Sequence, residues 1–74
     1  MRKQVNSWYR YNPCMWDIVN PPVGEEMGLL KAGDRVKTIN MHGCPRFGTM
    51  GQGYIQNEKG EFCGMVSLAS LEKI

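Results

Sequence analysis

The chain predicts a mostly β fold, a small antiparallel barrel of four to five short strands, on three observations. Runs of four to seven strand-forming residues alternate with turn residues from Arg35 onward. A glycine-dense loop, His42 to Gly53, separates the first two runs and holds Gly43, Gly48, Gly51, Gly53 and Pro45. A tight hairpin sequence, Asn57-Glu58-Lys59-Gly60, joins the next two. Closing so short a sheet into a barrel hides edges that would otherwise pair with other chains. An α+β fold with a true helix over residues 23–32 is the alternative.

Met1 to Pro13 shows no clean period of two or of 3.6, and Pro13 blocks a helix around Asn12. It reads as an extended or disordered arm, which the Asn20-Pro21-Pro22 linker separates from the rest. The expected organisation is therefore an arm and linker over 1–22 and a barrel over 23–74. Cys14 to Val19 is a short apolar run, either a strand or a piece docked on the barrel. Val23 to Ala32 allows a turn or two of helix, weakened at Gly24 and Gly28 by about 1 kcal/mol each relative to alanine. Leu29 and Leu30 should pack on the barrel.

Gly33-Asp34 then turns into Arg35–Met41, rich in the strand formers Val36, Thr38 and Ile39. Val36 and Ile39 are out of phase for strict alternation, which predicts a bulge. Gly53 to Asn57 is the second strand. Glu61 to Val66 is the third, with Phe62 and Val66 on one face and Cys63 and Met65 on the other. Ser67 to Ser70 reads as one tight helical turn and Leu71 to Ile74 as a closing strand.

With 74 residues the chain holds one domain at most, with little room for a deep substrate cavity beside its core. The net charge of +2 is small but unevenly placed. Arg2, Lys3 and Arg10 make the arm basic, and Arg35, Lys37, Arg46 and Lys59 do the same around the central loop. Glu25, Glu26 and Asp34 make residues 20–34 acidic. Three cysteines cannot close a complete disulfide framework. No apolar run reaches the length of a membrane span, so a cytoplasmic monomer without membrane contact is expected.

At Gly33-Asp34-Arg35-Val36 and Gly48-Thr49-Met50-Gly51 the chain resembles SH3-like barrels of the KOW type found in transcription and translation factors. Arg46 stands as the basic residue before the glycine pair, Tyr54-Ile55 as the next strand, and Ser67 to Ile74 as the turn-plus-strand close. The likeness covers residues 30–74. Gly53 shifts the spacing, and Cys44-Pro45 and Phe47 stand where the family carries more lysine. What the resemblance implies is a module that binds RNA or a large nucleoprotein assembly.

Two sets of residues are candidate contacts. Arg2, Lys3, Trp8, Tyr9, Arg10 and Tyr11 interleave cations with rings, a mix suited to phosphates and unpaired bases or to a protein channel lined by both. The opposing expectation is that rings such as Trp8 and Tyr9 fold back to cover the barrel. Arg35, Lys37, Arg46 and Phe47 add a cationic and aromatic set on the first strand and its loop. Cys14, His42, Cys44 and Cys63 make the donor count of a structural zinc site, but without a C-x₂-C pair buried free thiols are the expected state. His42 and Cys44 define no base-to-thiol geometry, so neither an enzyme nor a cofactor is expected.

The leading expectation is a small regulatory protein that docks on RNA polymerase or its elongation complex. In layout it is similar to small phage-encoded antitermination or inhibitory factors. The alternative is a direct binder of single-stranded nucleic acid.

Overall fold

The structure, a computed structural model, describes residues 4–42 and 51–74. It is mostly β: five antiparallel strands in one sheet, with two short helices. In chain order the elements are β1 (Trp8–Tyr11), α1 (Met15–Val19), α2 (Val23–Glu26), β2 (Arg35–His42), β3 (Gln52–Gln56) and β4 (Phe62–Ser67). A 3₁₀ turn (Leu68–Ser70) then leads into β5 (Leu71–Lys73). Across the sheet the order is β4-β3-β2-β1-β5, so the first strand lies between the second and the last.

That order corrects the arm expected over residues 1–22, as far as residues 4–22 are concerned. Trp8, Tyr9 and Arg10 pair with Lys37, Val36 and Arg35 on one side, while Tyr9, Arg10 and Tyr11 pair with Lys73, Glu72 and Leu71 on the other. The preceding residues are attached as well. The Asn6 amide donates to the Thr38 carbonyl at 2.7 Å, and the Thr38 hydroxyl bridges the carbonyls of Gln4 and Ser7. Tyr9 and Tyr11 point inward and Trp8 and Arg10 outward. Alternation is present in WYRY, but an outward tryptophan hides it from a reading based on polarity alone.

The core consists of Tyr9, Tyr11, Leu30, Val36, Ile55, Cys63, Val66, Leu68 and Leu71, with Leu29 and Met41 packed against it. Leu29 and Leu30 thus pack as the sequence predicts. Thr38, the buried polar residue of β2, is satisfied by the Gln4–Ser7 segment. The expected β2 irregularity is also there. Register jumps from Thr38↔Ile55 to Asn40↔Tyr54, which leaves Ile39 as the extra residue.

A second bulge overturns the expected facing of β4. Gln56 pairs with Phe62 and Ile55 with Gly64, so Cys63 is the extra residue opposite β3. The shift in phase puts Cys63 and Val66 in the core together and leaves Phe62 and Met65 outside, Phe62 at 51% exposure.

The helices cover the inner side of β4. α2 lies so close that a Cβ on Gly24 would stand 2.6 Å from the Cys63 Cα, and one on Gly64 would meet Val23 at 3.0 Å. Glycine at both positions permits this contact, and Gly64 in addition holds φ near +100°. α2 is a single turn rather than a helix over 23–32. The Leu29 amide returns to the Gly24 carbonyl at 2.8 Å and closes it.

The apolar run Cys14–Val19 becomes α1, and its polarity is inverted. Asp17 is its one buried residue, whereas Met15, Trp16, Ile18 and Val19 are exposed. Asp17 accepts hydrogen bonds from the Ser67 amide at 3.0 Å and from the Ser70 hydroxyl, and the Cys14 amide donates to Ser70 Oγ at 2.9 Å. The helix is thereby tied to the end of β4 and to the 3₁₀ turn through a carboxylate rather than through its apolar side chains.

Candidate functional site

Strand periodicity builds the site on the outer side of the sheet. Cross-strand partners share a face, so the pairs Arg10↔Arg35 and Trp8↔Lys37 put three cations and a ring together on β1 and β2. Arg35 Cζ stands 5.0 Å from the centroid of the Trp8 ring, within cation–π range. Glu72, opposite Arg10, is the acid of this group on β5.

The same outer side continues across β3 and β4 with a ladder of rings. His42 meets Tyr54 edge-on at 5.3 Å between centroids, and Tyr54 meets Phe62 at 5.8 Å. Lys37, paired to Gln56, which is in turn paired to Phe62, links the cationic end to the ring ladder. Met65, opposite Tyr54, extends the apolar part. Chemically, the surface offers aromatic faces for stacking, amide side chains for hydrogen bonding and three cations for phosphate.

The predicted contact residues divide by face. Trp8, Arg10, Arg35 and Lys37 come together on the outer side, whereas Tyr9 and Tyr11 are core. Tyr11 also donates from its hydroxyl to Glu25 Oε2 at 2.7 Å. Burial, reinforced by that hydrogen bond and by the charge of Glu25, holds its phenol well above the ordinary tyrosine range. These two rings therefore serve the fold. Arg2, Lys3, Arg46 and Phe47 lie outside the described residues.

Tyr54 and Phe62 are the members that the sequence reading missed, and His42 entered it only as a metal donor and as a base without a defined thiol geometry. Tyr54 was legible: in Gly53-Tyr54-Ile55-Gln56 the ring alternates with the core residue Ile55. Phe62 was not, because the bulge at Cys63 reverses its expected side.

Among the described residues no group of three His, Cys, Asp or Glu side chains is placed to hold a metal ion. His42 stacks on the outer side, Cys63 is buried, and Cys44 lies outside the described residues. The Cys63 thiol is pushed up by burial, with the charges of Glu61 and Asp34 acting in the same direction. Burial also acts upward on Cys14, but hydrogen bonding from Ser70, the Asp17 backbone and Ser67 outweighs it and brings that thiol below its usual range.

A cavity of about 340 Å³ lies between residues 28–35 and the β3–β4 hairpin, lined in part by Lys31, Asp34, Arg35, Asn57 and Glu61. Asn57, which caps the hairpin by accepting from the Lys59 and Glu61 amides, forms part of its wall. No helix among the described residues is long and apolar enough to cross a membrane. Compared with protein-family models, curated proteins and solved structures, the chain matches none.

Proposed function

We propose that this chain is a non-catalytic binding module that holds single-stranded nucleic acid on the outer side of its sheet. The observation that carries the reading is the joining of two sets of side chains on one surface. The Trp8–Arg35 pair, with Arg10 and Lys37 beside it, runs into the ladder His42–Tyr54–Phe62. Unpaired bases stack on rings without demanding a sequence, and the cations meet the phosphates between them. Duplex DNA is a poorer fit, since its bases are already stacked and the surface offers no helix or ribbon shaped for a groove.

The resemblance to the KOW type adds a setting. The nucleic acid would be RNA at RNA polymerase or its elongation complex, with the chain acting as a regulatory, antitermination or inhibitory factor. The 3₁₀ turn Leu68–Ser70 followed by the strand Leu71–Lys73 supports that resemblance.

Titration with a fluorescent oligo(U) at several salt concentrations tests the reading. Three cations on phosphate predict a log-log salt slope of about −2, at roughly 0.7 per contact. Loss of Trp8 or Phe62 to alanine should weaken binding by about 5- to 150-fold each, given stacking of ~1–3 kcal/mol per base. Absence of binding at low salt would overturn the reading.

A further inference from the structure

We propose that α1 and the single turn of α2 form a docking ridge for a protein partner, one that presents an apolar groove bordered by lysine or arginine. Six of the twelve large apolar side chains exposed among the described residues fall between residues 15 and 27. Four are consecutive but for Asp17: Met15 at 77%, Trp16 at 58%, Ile18 at 62% and Val19 at 69% exposure. Val23 follows on α2 and Met27 at its C-terminal cap. A concentration of this kind marks an interaction surface, and tryptophan and methionine are among the side chains enriched at such contacts.

The ridge is held in place rather than left over. Left free, a five-residue helix with four apolar side chains would turn those side chains toward the core. Here Asp17 is bound to Ser67 and Ser70 and keeps them outward. Pro13 and Pro21-Pro22 bracket the helix and restrict the chain on either side. Such preorganisation lowers the entropic cost of binding.

Charge selects the occupant. Residues 11–30 contain Asp17, Glu25 and Glu26 and no lysine, arginine or histidine. Glu25 is half-buried on Tyr11 and Glu26 is exposed, so the ridge is apolar with an acidic border. Phosphates, and with them nucleic acids and anionic lipid surfaces, are repelled by that border. In a two-fold pair, a second copy would meet the ridge with its own ridge. Two five-residue helices, each about 7.5 Å long, would meet convex to convex and fall short of the roughly 800 Å² per partner of a stable interface. A groove wraps the ridge and gathers its flanks, and basic residues at its rim match Glu25 and Glu26.

The inference is independent of the nucleic-acid reading, since it uses none of the outer-face residues. The test places a photoreactive benzophenone side chain at Val19 of the full chain, followed by irradiation in the cells that carry it and mapping of the adduct by mass spectrometry. The expected result is one cross-linked polypeptide with the adduct in an apolar groove flanked by lysine or arginine. With that polypeptide purified, Trp16→Ala and Glu26→Lys should each weaken binding at least tenfold and several-fold respectively, while Trp8→Ala leaves it unchanged. Both substituted side chains are exposed, so an unchanged melting curve checks the fold. Adducts only to a second copy, to lipid or to nucleic acid, no adduct at all, or binding indifferent to Trp16→Ala would each overturn the proposal.

Discussion

The outer side of the sheet and the α1 ridge both expose tryptophan, yet they arrive at it by opposite routes. On the sheet, alternation alone turns Trp8 outward while Tyr9 and Tyr11 fill the core, and the exposed ring has Arg35 beside it. On α1 there is no such apportioning, because the apolar side chains all go outward and the acid goes in. The first surface is cationic and aromatic, the second apolar with acidic flanks. One small domain can thus carry two binding chemistries without mixing them, because one surface follows from strand period and the other from a single carboxylate.

The sharpest way to break this comparison is to remove that carboxylate. Asp17→Ala leaves the Ser67 amide and Ser70 hydroxyl without their acceptor, at a cost of about 3 kcal/mol, since hydrogen bonds to charged groups contribute ~1.5–3 kcal/mol. Urea denaturation should register this as a lower midpoint. A midpoint equal to that of the parent chain would mean that α1 is not held by Asp17.

Next in size is Gly24→Ala, which forces a methyl group against the Cys63 backbone and should cost about 2 kcal/mol by overpacking. The same measurement reads it, and the affinity of the outer face for oligo(U) should survive in the folded fraction. Phe62→Ala should do the reverse. It should lower oligo(U) affinity and move the midpoint by less than about 0.5 kcal/mol, as for a half-exposed side chain away from the core.

Alkaline stability sharpens the contrast between the rings. Tyr11 has its phenol pushed up in the fold, so above the unfolded value near pH 10 the unfolded chain releases a proton that the folded chain keeps. The stabilisation is complete below about pH 10 and lost as pH rises above it, by roughly 1.4 kcal/mol per pH unit. Tyr11→Phe should remove this part of the fall and leave the part that the raised Cys63 thiol contributes. A melt series that declines alike for both proteins would place the cause elsewhere. The smallest effect concerns thiols: in a Cys44→Ser background, iodoacetamide should label Cys14 well before the buried Cys63.

Much of the β architecture was legible because the strands after Gly33 carry β-branched residues and turn signals at regular intervals. The bulge at Ile39 could be read from Val36 and Ile39 standing out of phase. The bulge at Cys63 could not, since Phe62, Cys63, Met65 and Val66 are all acceptable on either face. β1 was hidden for a related reason: three of its four residues are aromatic, and the partner that would fix its register, β5, lies sixty residues away. Of the site, the cations Arg10, Arg35 and Lys37 were visible as charge. The ring ladder depended on a register that only the paired strands supply. The inversion of α1 was out of reach, because the groups that donate to Asp17 come from Ser67 and Ser70, at the far end of the chain.

The position of β1 between β2 and β5 has a consequence for how the chain reaches this state. Its first strand remains half-paired until Leu71–Lys73, made last of the five strands, arrives beside it. During synthesis a hairpin of β3 and β4 can form early, but the sheet cannot be completed until residue 73 has left the ribosome. Contacts between such distant segments slow folding, because loop closure must be met before the pairing repays it. For most of its synthesis the chain would carry Tyr9 and Tyr11 uncovered, and that interval is when it is most exposed to proteolysis and to chaperones.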